Sequence, residues 1–210
     1  PSAHFAYALS GSTDLKLSYG RRISRPDARD LNPFPEFRDP KNISYGNPLI
    51  LPEYIHSIEL GVQYQGNHVF LHPSLFYRYS SNDIHPIKRF VNRSTLQTTR
   101  ENVSSDLSAG IEVIASWRTG DLLSLHMSTT GVYDELDASN VSSGQLKSNL
   151  AWTGTFTANI GLAEQTKLEL RSHWNTLRVT AQGEHFPSFS LGFGARQGFL
   201  DGKLTISCTG

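Results

Sequence analysis

The sequence predicts an all-β chain: a portion of an antiparallel transmembrane β-barrel, with about ten long strands, short periplasmic turns and long extracellular loops. Three observations carry this expectation. Apolar and polar residues alternate with period two along almost the whole chain, and no convincing 3.6-residue stripe occurs. Several segments run to ten residues or more, whereas strands in soluble sheets centre on about five or six and a tilted membrane strand needs about 9–11. Connections alternate between short and long, a polarity that a soluble sandwich has no reason to adopt.

The strands are expected at 4–10, 13–24, 53–65, 67–80, 103–118, 121–134, 146–161, 165–179, 186–197 and 202–208. Hairpins at 10–14, 65–67, 118–121, 162–165 and 199–202 are tight, whereas 25–52, 81–102, 135–145 and 180–185 are longer and polar. In 53–65, Tyr54, Ile58, Leu60, Val62 and Tyr64 oppose Ser57, Glu59, Gly61 and Gln63. In 146–161, Leu150, Trp152, Phe156, Ala158 and Ile160 oppose Ala151, Thr153, Thr155, Thr157 and Asn159. Leu168, Leu170 and Trp174 oppose Lys167, Glu169, Arg171 and His173, and Phe189, Leu191 and Phe193 oppose Ser190, Gly192, Gly194 and Arg196. A soluble sandwich with its apolar face inward shows the same alternation. Aromatic placement favours the barrel: Tyr54, Tyr64, Tyr77, Tyr79, Trp117, Tyr133, Trp152 and Trp174 fall mostly near strand ends, as an interfacial girdle requires.

Composition narrows the classes further. Lys plus Arg and Asp plus Glu each number 19 in 210 residues, so no charge excess points to nucleic acid. A hydrophobic content of 38% and a mean hydropathy of −0.34 suit a barrel, because only every second strand residue faces lipid. No run of eighteen apolar residues exists, so a helical membrane protein is excluded. Cys208 is alone, which leaves no internal disulfide and no thiolate metal site.

Enzyme signatures are missing: no Walker motif, nucleophile elbow or His-Glu-x-x-His is present. His68 and His72 share a strand face but stand about 13 Å apart, too far for one ion. The expectation is therefore no catalysis, no metal site and no cofactor. Four Asn-x-Ser sequons, at Asn42, Asn92, Asn102 and Asn140, lie in or beside the long loops. They matter as glycosylation sites only if the chain is a eukaryotic secreted sandwich.

The stretch from Tyr19 to Tyr64 is the most specific. It reads Tyr19 to Pro26, then Asp30-Leu31-Asn32-Pro33-Phe34, then Asp39 to Pro48, then Pro52-Glu53-Tyr54 running into Ser57-Ile58-Glu59-Leu60-Gly61. This block resembles the barrel region of TonB-dependent outer-membrane receptors, particularly the group common in Bacteroidota-type bacteria. The resemblance implies a barrel of about 22 strands that imports a siderophore, oligosaccharide or peptide-like nutrient. It also implies a plug domain, an energising TonB-type protein in the periplasm, contact with lipid and lipopolysaccharide, and a surface lipoprotein as a further partner. In that setting the chain is expected to be an internal or C-terminal piece, lacking the plug and at least one strand at each end. A complete ten-stranded pore is the alternative.

By strand parity, Lys16, Arg22, Glu59, His72, Arg78, Glu112, Lys167, Glu169, Arg171 and Arg196 are candidates for the inner wall. The resemblance makes that wall the one facing the plug and the substrate path. Of Arg21 and Arg22, one must face outward near the outer rim, where lipid phosphates suit a guanidinium. Arg25, Arg29, Phe34, Phe37 and Arg38, beside Asp27, Asp30 and Asp39, are the loop candidates for ligand contact, on a segment stiffened by Pro26, Pro33, Pro35, Pro40 and Pro48. Two rivals stay open on the residues alone: a soluble β-sandwich binding or adhesion module, and an enzyme barrel with Ser or Asp/His groups converging at its rim.

Overall fold

A computed structural model describes residues 1–39, 41–141, 145–180, 183–200 and 203–210. Pro40, the Gly202 end of the last hairpin and the Arg38 side chain lie outside the described residues. Ten strands form one antiparallel meander: β1 (Ser2–Ser10), β2 (Thr13–Ser24), β5 (Glu53–Gln65), β6 (Val69–Phe90), β7 (Leu96–Thr119), β8 (Leu123–Asp137), β9 (Leu146–Ala163), β10 (Thr166–Asn175), β13 (Ser188–Phe199) and β14 (Leu204–Thr209). Between β2 and β5 lie a one-turn helix, α1 (Ala28–Leu31), and a hairpin of β3 (Glu36–Asp39) and β4 (Asn42–Ser44). A second small hairpin, β11 (Arg178–Thr180) with β12 (Gly183–His185), follows β10. No helix among the described residues is long and apolar enough to cross a membrane.

Register turns the alternation of each strand into two continuous surfaces. Phe5, Leu17, Leu60, Leu75, Ile111, Gly131 and Trp152 are successive cross-strand partners, forming an apolar row across seven strands. One residue along, Lys16, Gly61, Ser74, Glu112, Thr130, Thr153 and Asn175 form a polar row on the opposite face. Because the side-chain period is two, each unbroken run of pairing assigns its residues to one face or the other.

The apolar face is bare. Phe5 and Leu75 are 56% exposed and Leu60 is 41% exposed, although these are the residues a sandwich would bury. The buried apolar cluster is small and lies elsewhere, at the long-connection end, where Ile87, Val103, Leu136, Ala138 and Val141 meet. An apolar sheet face without a covering layer fits hydrocarbon as its solvent. The sheet stays open, with β1 and β14 at its edges.

Two sequence expectations need correction. Residues 81–102 are not mainly a loop, because β6 and β7 stay paired from Val69↔Trp117 out to Phe90↔Leu96. The segment is mostly polar, with Ile87 turned into the small buried cluster, and the regular alternation is lost there. Segment 25–52 is likewise no bare run of turns: it holds α1 and the β3–β4 hairpin.

Aromatic side chains fill the places where strands carry glycine. Trp174 is the cross-strand partner of Gly154, and a Cβ added at Gly154 would come within 2.7 Å of the indole Cε2. The ring thus rests on bare backbone near the end of β10, a packing that only glycine permits.

Candidate functional site

The sheet carries two features built by side chains. The first is the docking of segment 25–52 onto the projecting β6–β7 hairpin. Asp27 caps α1 by accepting from the Asp30 N–H at 2.8 Å. Backbone bonds from Gly46 to Asn32 and from Asn47 to Asp30, both 2.7 Å, fold the return strand against the helix. A Cβ at Gly46 would meet the Arg29 carbonyl and the Asn32 amide at 2.6 Å, so glycine is what allows this approach. β4 then pairs in parallel with β7, Asn42–Ser44 against Leu96–Thr98.

Side chains complete the docking. Asn102 on β7 accepts from the Leu51 N–H at 2.8 Å and donates to the carbonyls of Leu51 and Asn82 at 2.9 and 2.7 Å. Asn47 donates to the Arg100 carbonyl at 3.2 Å, and Arg100 pairs with Asp30 at 2.6 Å. A cleft of about 340 Å³ remains between segment and hairpin, lined by Arg29, Phe34, Glu36, Tyr45, Pro86 and Arg100 among others.

Of the loop candidates, Arg29 and Phe34 line this cleft, whereas Arg25 and Phe37 do not. Arg29 is held by Glu36 at 2.7 Å, and this contact raises its pKa further. Phe34 and Phe37 are both strongly exposed. Asp39 is held below the usual carboxylate range by the Asn42 side-chain amide and the Lys41 N–H. The four sequon asparagines all have structural partners. Asn42 bonds Asp39, Asn92 caps the turn at Ser94 and Thr95, and Asn140 donates to the Asn102 carbonyl.

The second feature is the polar face. Arg22, Glu59, Arg78, Glu112, Glu169, Arg171 and Arg196, with Lys16, His72 and Lys167, all fall on it by register. They do not converge on one point. Glu59, Arg78 and Glu112 share a hollow of about 290 Å³ with Arg178, and Lys16, Glu59 and His72 line another of about 280 Å³. Glu169 and Arg171 pair at 3.0 Å on β10, and Lys167 stands opposite Arg196. Arg21 falls on the apolar face, its guanidinium 5.6 Å from the Tyr54 ring centroid.

The connection after β10 leans over this polar face. Asn149 donates to the Leu177 carbonyl at 2.7 Å, Lys147 donates to that of Thr180 at 3.4 Å, and Arg178 binds Asp134 at 3.1 Å. Asp134 is mostly buried and also accepts from the Ser108 hydroxyl at 2.6 Å. Sequence reading missed Asn102, Asp134 and Arg178, as well as a group of Asp83, His85 and Asp106 whose donor atoms lie within 4.8 Å of one another. The expectation of no metal-ligating cluster had rested on histidine spacing, and this group contains a single histidine. Asp83 and His85 bond at 2.7 Å, which raises the imidazole pKa.

Comparison with known proteins gives one family and a set of solved structures. The outer membrane protein β-barrel family matches residues 1–210. The copper transporter OprC superposes with a TM-score of 0.72 at 13% identity, covering 99% of this chain and 32% of that one. The siderophore receptor PirA from Pseudomonas aeruginosa gives 0.70 at 15%, covering 95% and 36%. The ferric enterobactin receptor PfeA from Pseudomonas aeruginosa, in complex with enterobactin, gives 0.63 at 17%, covering 94% and 32%. At these identities the likeness is one of fold, and the chain spans about a third of the length of the solved proteins it matches. No curated protein matches.

Proposed function

This chain belongs to the outer membrane protein β-barrel family, and from that premise we propose that it is a barrel segment of a TonB-dependent receptor importing a scarce nutrient across the outer membrane of a Gram-negative bacterium. One observation carries the reading: a bare apolar face backs a polar face rich in charge, and the pairing carries both across the meander. One side meets lipid and lipopolysaccharide; the other lines a wet interior large enough for cargo. The open edges at β1 and β14 support a larger barrel, because an unpaired strand edge does not persist in hydrocarbon. About 22 strands in all, with a plug domain inside, is the architecture we propose.

Within it, Arg22, Glu59, Arg78, Glu112, Glu169, Arg171 and Arg196 face the plug and the cargo path. Arg25, Arg29, Phe34, Phe37 and Arg38 present the ligand-facing side of the docked segment. The Tyr19–Tyr64 block supports a Bacteroidota-type receptor, with a TonB-type protein supplying energy through the plug and a surface lipoprotein as outer partner. The solved proteins of like fold include a ferric enterobactin receptor, a siderophore receptor and a copper transporter, which favours a metal-bearing cargo over an oligosaccharide or peptide. No step of this function requires catalysis.

Uptake of radiolabelled ferric siderophore by cells lacking the gene, with and without a proton-motive-force uncoupler, tests the proposal. Uncoupler-sensitive uptake that disappears with the gene supports it. An outer-membrane protein whose deletion leaves ferric siderophore, copper, oligosaccharide and peptide uptake unchanged would refute import while leaving location intact.

A further inference from the structure

Asn82 adopts φ 55, a left-handed conformation that asparagine tolerates. Beyond it the odd-numbered residues of β6 lie on the polar side: Ile87 packs in one cluster with Leu136, and Asp83 and His85 stand beside Asp106. We propose that Asp83, His85 and Asp106 bind a divalent first-row transition metal ion at the outer mouth of the polar face. Two carboxylate oxygens and one imidazole nitrogen come from two paired strands, all three side chains half-buried. Zinc-type ions sit about 2.0–2.2 Å from such donors. A tetrahedral ion therefore needs its donors about 3.4 Å apart, within reach of small rotamer shifts from the present separations. Asp83 Oδ2 and His85 Nε2 now hydrogen-bond at 2.7 Å. A bound ion takes the place of the proton between them, which moves to His85 Nδ1 when the imidazole is neutral and to water when it is protonated.

Two independent observations favour a cation here. Asp106 lies close to both Asp83 and Asp134, and Glu53 close to Asp83, so four carboxylates crowd one region. Among the described residues, an imidazole bonds Asp83 and a guanidinium, that of Arg178, bonds Asp134. Asp106 also opens on a cavity of about 210 Å³ lined by Asp134, Arg178 and His185, which leaves room for a water or a further donor as fourth ligand. The donor set selects the ion. An imidazole disfavours calcium, and the absence of thiolate or thioether from the triad disfavours copper(I). Bound there, the ion ties the base of the β6 projection to β7.

The test is titration of the purified full-length protein, stripped of metal, with Zn²⁺ alone by calorimetry and with Co²⁺ by visible absorption. The proposal predicts a Co²⁺ band and one Zn²⁺ site weakened at least tenfold by His85→Gln and by Asp83→Asn. His173→Gln, on the polar face of β10, leaves both readouts unchanged. Zn²⁺ should raise the Tm of the unaltered protein but not of His85→Gln, which also separates lost binding from lost folding. The proposal is overturned if His85→Gln binds Zn²⁺ like the unaltered protein, if no Zn²⁺ binds at millimolar concentration, or if Ca²⁺ binds as tightly as Zn²⁺.

Discussion

Replacing Asn102 with alanine should release the docked segment from the β6–β7 hairpin while leaving the sheet intact. Its side chain makes three hydrogen bonds at 2.7–2.9 Å to backbone atoms of Leu51 and Asn82. Such bonds contribute about 0.5–1.5 kcal/mol each, and the two to Leu51 are exposed, so the lower part of that range applies. The loss comes to about 2 kcal/mol, roughly a thirtyfold rise in local opening. The Asp30–Arg100 pair is shorter, at 2.6 Å, yet the Arg100 side chain is 44% exposed. Screening leaves such a pair about 0–1 kcal/mol. Hydrogen–deuterium exchange of the full-length protein reads this directly. In Asn102→Ala the amides of Gly46, Asn47, Ile50 and Leu51 should exchange about thirtyfold faster, and those of β8 and β9 should not change. The reasoning fails if Leu51 exchanges as before, or if Asp30→Asn loosens the segment more than Asn102→Ala does.

Other consequences follow from the same geometry. Gly46→Ala should undock the segment at a cost of about 1–3 kcal/mol, since its Cβ meets backbone that cannot yield; limited proteolysis between 25 and 52 would register it. Gly154→Val should dislodge the Trp174 ring and cost about 1–3 kcal/mol, visible as a red-shifted tryptophan emission and a lower urea midpoint. Arg178→Ala leaves a mostly buried Asp134 bonded to the Ser108 hydroxyl without its guanidinium. The β11–β12 hairpin should then become protease-sensitive while outer-membrane assembly stays normal. Leu75→Arg on the apolar face should cost about 2–4 kcal/mol in a bilayer, whereas Thr155→Arg on the polar face should cost little; urea titrations of vesicle-inserted protein compare the two.

All ten meander strands were legible because lipid and interior impose opposite chemistry on neighbouring residues. That contrast fixes both the element and its face from Leu15–Ile23 through Phe189–Phe193. It vanishes above the apolar band, which is why the outer halves of β6 and β7 read as loop: Asp83, His85, Lys88, Arg89 and Glu101 are polar whichever way they point. The docking of 25–52 was illegible for another reason. Gly46 and Asn102 look like ordinary turn and sequon residues until the β4–β7 pairing brings them into use. Asp83 and His85 stand two apart in sequence, a visible hint of a shared strand side. Asp106 joins them only through the hairpin register, which no local pattern encodes.

The central claim is that one face of this sheet meets lipid and the other a wet interior. Spin labels placed singly from Ile58 to Gln63 on β5, in a Cys208→Ser background of the full-length protein in native lipid vesicles, test it most directly. The account predicts strict alternation: labels at 58, 60 and 62 accessible to oxygen and shielded from a water-soluble nickel chelate, labels at 59, 61 and 63 the reverse. Uniform accessibility along the strand, or oxygen-accessible labels at 59, 61 and 63, would contradict it.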